Sequence, residues 1–293
     1  MKIKESPTRK FFGVINAMLL LALVFVTLYP MLHVLFASFS DGNLLMAHSG
    51  VLLKPIGFNI ESYKKIIDYP MFLRSYFNTL YIVVMTLALN FVLTAFGAYF
   101  LSRKNISGQK VIMIMILLTM YFNGGLIPTY MNIRNLNLYN SHLAIILPGA
   151  INTFNLIILK TSFGSVPESL CESAKLDGAS HFRILFSIIL PLAKSSLAVV
   201  ILYYAVAHWN AWFNAMIFLE DRELFPLQLI LREILLMNDT SGMMTGVLES
   251  DVQAVGESLK YAVIIMATVP ILCVYPFLQR YFAKGTMVGA IKE

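Results

Sequence analysis

Long apolar runs alternate with short polar stretches along the whole chain. Six of them, at about residues 12–36, 77–101, 111–131, 141–160, 192–218 and 260–280, hold enough consecutive apolar residues for a membrane-crossing helix. A bilayer core of about 30 Å needs roughly 20 residues at the helical rise, and buried backbone groups without partners forbid open sheets there. Alternating strand patterns are absent, so the pattern predicts an all-α polytopic membrane protein with six transmembrane helices. The first run follows Lys2, Lys4, Arg9 and Lys10, but its extent from Phe11 to Ala37 is too long for a cleaved leader and predicts a retained span.

Two connections read differently from the spans. Residues Asn59 to Arg74 place apolar positions at helical spacing with Lys64, Lys65 and Asp68 between them, which predicts an external amphipathic helix packed on the protein. Leu224 to Met237 is apolar, yet Pro226, Arg232 and Glu233 interrupt it and the run is short. It reads as a docked external helix, not a seventh span. No repeat of 20 to 50 residues is visible. The expected organisation is one transmembrane domain over 1–293, with its core at about 75–280, a cytoplasmic loop at 165–191 and a cytoplasmic tail at 281–293.

Composition sharpens the class: 58% of residues are hydrophobic, 13% are charged, and the mean hydropathy is +0.73. The net charge of +6 invites a nucleic-acid reading. The basic residues are instead divided among short loops, as topology requires. An N-terminus inside puts Lys2, Lys4, Arg9, Lys10, Arg103, Lys104, Lys110, Lys160, Lys175, Arg183, Lys194, Arg280, Lys284 and Lys292 on the cytoplasmic side. Both termini are then cytoplasmic. Cys171 and Cys273 fall beside a cytoplasmic loop and within an apolar run, so no disulfide is expected. The five histidines form no metal-ligand spacing, and no phosphate-wrapping Gly-x-x-x-x-Gly-Lys-Ser/Thr loop occurs. No catalytic constellation and no cofactor of its own is expected, and any ATP-derived energy must come from another chain.

The most specific polar signal is Glu172-Ser173-Ala174-Lys175-Leu176-Asp177-Gly178, followed nine residues later by Ile188-Ile189-Leu190-Pro191. Gly178 suits the turn between two short helices, and Pro191 suits the start of the helix that follows. Glu168 and Glu172 lie one helical turn apart and present a carboxylate face; Lys175, Asp177, His181 and Arg183 add polar groups near the turn. A hairpin of this kind between two spans is suited to pass force from a partner into helix tilting. Candidate coupling residues are Glu168, Glu172, Ser173, Ala174, Asp177, Gly178 and Arg183.

Polar groups inside apolar runs are costly in lipid and usually face the bundle interior. Asn90, Asn123, Asn152, Asn155, His208, Asn210 and Asn214 are of this type, and Tyr121, Tyr203, Tyr204, Trp209 and Trp212 offer rings and polar tips suited to sugars. They form the candidate substrate path, with helix-to-helix hydrogen bonding as the competing role for each. No carboxylate accompanies His208 within the spans. An ion-coupled carrier is therefore disfavoured, and no clustered nucleophile, base or metal set supports a membrane enzyme.

The hairpin resembles the Glu-Ala-Ala loop of binding-protein-dependent ABC importer permeases, with Ser173 in place of the middle alanine. Ser75-Tyr76-Phe77-Asn78-Thr79-Leu80, Trp209-Asn210-Ala211-Trp212-Phe213 and the tail Gln279 to Glu293 resemble the carbohydrate members, on the side of the maltose permease's smaller subunit. Tyr121 to Tyr130 is similar to the branch that includes the alginate and uronate-oligosaccharide importers. The resemblance implies a type I ABC permease fold in a bacterial cytoplasmic (inner) membrane. It implies as partners a second, homologous permease, two ATPase subunits that hold ATP and Mg, an extracytoplasmic solute-binding protein and an oligosaccharide, with no nucleic acid. It also implies tail contact with the ATPase through Gly289 and Lys292.

Overall fold

The computed structural model describes residues 7–103, 106–236 and 252–290, and every regular element among them is helical. The chain divides into two compact units, Met1–Pro70 with Glu233–Thr268 and Met71–Arg232 with Val269–Glu293.

The first unit contains α1 (Pro7–Ser38), α2 (Gly42–Ala47) and α3 (Glu61–Asp68). Most of α1 leaves its leucines, valines and phenylalanines exposed, the signature of a helix whose solvent is lipid. Only its C-terminal end is packed: Ser38 Oγ and Tyr63 Oη lie 2.7 Å apart, and Phe39 stacks on Tyr63 at 5.0 Å. Asp41 caps α2 by accepting from the backbone of Asn43 and Leu44. In α3, Ile66 is buried and Ser62 Oγ meets Ser258 Oγ at 2.9 Å. The helix expected over 59–74 is split at Tyr69, because Pro70 drives the residue before it out of the α region; Tyr69 has ψ 107°. Arg74 therefore belongs to the next helix, where it pairs with Glu223 at 2.8 Å.

The second unit is built on α4 (Pro70–Ser102). One stripe of α4 is buried and is largely small or hydroxylated, including Ser75, Thr79, Thr86, Asn90, Thr94, Ala95 and Ala98. Small residues let neighbouring helices approach closely, as where a Cβ on Gly97 would stand 3.1 Å from Leu156. Then come α5 (Gln109–Tyr121), α6 (Leu126–Asn135), α7 (Leu143–Ile146), α8 (Thr153–Gly164), α9 (Glu168–Leu176), α10 (His181–Ile184), a π turn at Leu185–Ile189, α11 (Leu190–Leu192), α12 (Lys194–Trp209), α13 (Phe213–Phe218) and α14 (Leu227–Leu236). Both α14, whose residues from Glu233 onward belong to the first unit, and the last helix, α15 (Val252–Ala290), contribute residues to both units.

Three of the expected apolar segments are broken by local backbone chemistry. Segment 111–131 bends by 112° between α5 and α6, where Gly125 adopts φ 88° and ψ 176°, a conformation essentially confined to glycine. Segment 141–160 loses its helix over 147–152, where Pro148 has no N–H to give and Gly149 follows, and regular helix runs instead from Thr153 to Gly164. Segment 192–218 ends its long helix at Trp209. Pro191 is not the first residue of a new span: it lies in α11, just after the π turn, and the 87° bend into α12 falls at Ala193. The wider π turn makes room for a proline ring that would clash with the carbonyl four residues back. Among the described residues, three helices are long and apolar enough to cross a membrane, at Thr8–Ser38, Pro70–Ser102 and Gly256–Pro276, or five spans if each bent pair counts as one. The short α14 occupies the place of the docked helix expected at 224–237, with Leu227, Leu229, Ile230 and Ile234 buried; Met237 lies outside the described residues.

Candidate functional site

The hairpin closes by a Schellman motif at the end of α9. Gly178, at φ 77°, donates its N–H to Lys175 O at 3.0 Å, and Ala179 donates to Ala174 O at 2.9 Å. Ala174 and Ala179 are half-buried against the core, so the smallness of Ala174 serves closure of the turn. Ser180 then starts α10, its Oγ accepting from the Arg183 N–H at 3.3 Å. Glu168, Glu172, Ser173, Asp177 and Arg183 are all exposed, as is Leu176, 90% accessible beside the turn. The motif thus makes a fixed tip that combines carboxylates with one projecting apolar side chain.

What makes the hairpin a rigid lever is its base. Cys171, Ile184, Leu185, Ile189 and Leu190 join one buried cluster with Ala95, Ala98, Leu101, Leu159, Phe163 and Val200, so the hairpin shares a core with α4, α8 and α12. Polar ties supplement the packing. Arg103, just past α4, donates to Phe163 O and Cys171 Sγ, each at 3.2 Å, and lies 5.1 Å over the Tyr99 ring. Tyr99 Oη in turn meets His181 Nδ1 at 3.0 Å, and Phe96 makes edge contacts with Phe182 and Phe186. Sequence reasoning took Arg103 only as a topological charge and did not single out Tyr99 or Phe96. Arg103→Gln keeps a donor but loses the fork and the ring contact, about 1–2 kcal/mol of tethering. The expected result is a protein that still inserts in the membrane while limited proteolysis cuts the hairpin several-fold faster; an unchanged rate would show that the tie does not hold it.

Five expected path residues converge instead on a seam that holds the broken stretch 147–152. Asn90 is fully buried, and its amide nitrogen faces the carbonyls of Gly149 (3.2 Å), Ala150 (3.0 Å) and Thr86 (3.1 Å) while its oxygen accepts from His208 Nε2 at 3.2 Å. This pattern assigns a proton to Nε2 of His208. A Cβ on Gly149 would stand 3.2 Å from the His208 ring, a tight contact that glycine avoids. One turn along, Tyr204 Oη lies 2.9 Å from Thr94 Oγ1 and accepts from the Asn152 N–H, also at 2.9 Å. Asn152 caps α8 by accepting from Asn155 N at 3.1 Å, and Asn155 is buried. These side chains supply the partners that the missing helical turn leaves the backbone without. The signal for the seam was present in the sequence as polar residues at four-residue spacing, Thr86, Asn90 and Thr94.

The remaining candidates scatter. Trp209 is buried edge-on to Tyr76 at 5.9 Å, Trp212 lies 4.4 Å beneath the Arg232 guanidinium, and Asn210 donates its side chain back to Val206 O. Tyr203 is exposed next to Phe154, and Tyr121 is 82% exposed. Asn123 and Asn214 do meet at one place, a cleft of about 390 Å³ shared with Gly125, Thr129, Pro148 and Phe218. Thr129 and Pro148 had not been singled out. Asn123 Oδ1 accepts from the Gly125 N–H at 2.9 Å and Thr129 Oγ1 donates to Gly125 O at 2.8 Å, so the cleft is walled by the glycine bend itself. Gly289 lies within α15, and Lys292 lies outside the described residues.

An all-helical membrane protein with a core-anchored polar hairpin between bent spans is the type I ABC permease fold. Residues 108–288 match the family of binding-protein-dependent transport system inner membrane components, and the chain belongs to that family. It is similar to the polygalacturonan/rhamnogalacturonan transport system permease protein YtcP of Bacillus subtilis (strain 168), 37% identical over 93% of this chain and 95% of that one. Protein LplC of the same organism is 36% identical over 98% of this chain and 97% of its own length. Among solved structures, a chain of a bacterial ABC transporter involved in the import of the acidic polysaccharide alginate superposes with a TM-score of 0.87 at 32% identity, covering 96% of this chain and 100% of that one.

Proposed function

We propose that this chain is one of two homologous permease subunits of an ATP-driven importer of uronate oligosaccharides. It has six spans and both termini in the cytoplasm of a bacterium, and it works by alternating access. The single observation that carries the coupling half is the hairpin: its base shares a core with three membrane helices, while its tip exposes Leu176 among carboxylates, uncovered by any of the described residues. An apolar knob held in polar surroundings fits a groove on a partner. Two ATPase subunits, which supply ATP and Mg, take that place, one on each permease. Closure of the ATPase pair moves the hairpins, and the shared core passes the movement to α4, α8 and α12.

The sugar half rests on the relatives. Alginate and polygalacturonan figure in the names of two proteins that match nearly the whole chain, and the cleft at Asn123, Thr129 and Asn214 offers amide and hydroxyl groups, the chemistry that holds sugar hydroxyls. An extracytoplasmic binding protein delivers the substrate. Two experiments test the two halves separately. Cysteine at Leu176 is expected to cross-link to the ATPase subunit in native membranes, and absence of any cross-link there defeats the coupling reading. The cognate binding protein is expected to retain oligogalacturonate or oligoalginate; retention of neutral maltodextrins alone defeats the uronate reading.

A further inference from the structure

We propose that the cavity of about 420 Å³ lined by Arg103, Lys110 and Lys160 binds the phosphate-bearing headgroup of an anionic phospholipid. The three cations come from three separate places, the end of α4, the first turn of α5 and the C-terminal half of α8. No carboxylate is among the residues that line the cavity. Lys110 and Lys160 make no ion pair among the described residues, and Arg103 spends donors on a carbonyl, a hydroxyl and a thiol. Three like charges around one cavity repel each other, and an anion there relieves the repulsion.

Two further features point the same way. The first turn of α5 opens on Gly108, which has no side chain to cap the helix, so the positive end of the helix dipole adds to the field. Part of the lining is apolar: Met113 and Ile114, one turn beyond Lys110 on α5, line it too. From Ile114 an exposed apolar strip continues along α5 through Val111, Met115 and Leu118. A ligand that satisfies both parts carries a phosphate at one end and hydrocarbon at the other. Lysine side chains suit such a site, since their stems can cover apolar surface while the ammonium groups reach a headgroup. The proposal rests on the membrane reading of the chain and not on its coupling or its sugar.

The test uses the assembled transporter in nanodiscs of phosphatidylcholine with phosphatidylglycerol, counting retained lipids by native mass spectrometry. Wild type is expected to retain phosphatidylglycerol selectively, and Lys110→Gln with Lys160→Gln to lower that retention roughly thirtyfold, from about 1 kcal/mol per lost cation. Lys110→Arg with Lys160→Arg is expected to hold it, and the control pair Lys54→Gln with Lys64→Gln, on exposed residues elsewhere, to leave it unchanged. Should the glutamine pair not assemble, Lys160→Gln alone is expected to give a loss of about fivefold. Equal retention in wild type and the glutamine pair overturns the proposal. So does complete displacement of the lipid by millimolar inorganic phosphate, which makes this a site for free phosphate. Lipid is counted whether or not sugar is transported, so a failure here is distinct from a failure of the transport reading.

Discussion

Replacing Gly178 with proline is expected to abolish substrate uptake while the complex still inserts in the membrane. Two incompatibilities combine at that position. Proline holds φ near −65°, whereas Gly178 sits at 77°, and proline has no N–H to donate to Lys175 O. The local cost is about 3 kcal/mol or more, enough to unmake the Schellman turn and release the tip from its geometry. Because the base of the hairpin is buried with α4, α8 and α12, the spans themselves remain packed. ATPase activity should then persist at its basal rate without stimulation by the loaded binding protein. Gly178→Ala separates geometry from volume. No atom lies within 4 Å of the added Cβ, so only the left-handed backbone is penalised, by about 1–2 kcal/mol. A partial loss of coupling follows. Wild-type uptake by the proline variant would remove the hairpin from the mechanism.

The second large effect is expected at Asn90. Asn90→Leu fills similar space but strands the carbonyls of Gly149 and Ala150 and the ring nitrogen of His208 in an apolar interior. A single interhelical hydrogen bond in a membrane averages only about 0.6 kcal/mol, because the separated helices find other partners. Asn90 serves several groups at once, two of them backbone carbonyls at a break with no helical partner. The expected loss is therefore about 2–3 kcal/mol, read as a clear drop in the Tm of the complex in detergent. His208→Phe should cost less, and the double variant less than the sum of the two, since both remove the same contact. Strict additivity would mean that the 3.2 Å contact contributes nothing. If instead Asn90 lined the sugar path, its loss would change substrate selection and leave Tm unmoved.

How much of this was legible in advance depended on the range of the interaction. The membrane class follows from composition and run length, and the hairpin turn from a glycine whose need for positive φ is local to the turn. The breaks in segments 111–131 and 141–160 were within reach of the sequence, since Gly124-Gly125 and Pro148-Gly149 mark them, but their apolar flanks read as continuous helix. Run length reports the ability to cross a bilayer and carries no information on whether the backbone stays helical throughout. The hydrogen-bonded seam was hidden in the sequence for a different reason. Asn90, Tyr204 and His208 are polar inside apolar runs whether they face a sugar or a broken helix, and residue type does not distinguish the two.

The sequence by itself determined the solvent, the helical class and the turn of the hairpin, because each depends on neighbours a few residues apart. Only the tertiary structure decided what the polar span residues do, and that Arg103 ties α4 to α9 across 68 positions of chain. Hydrogen bonds of that reach are set by which helices pack together, and many apolar sequences of the same pattern would pack with different residues facing each other.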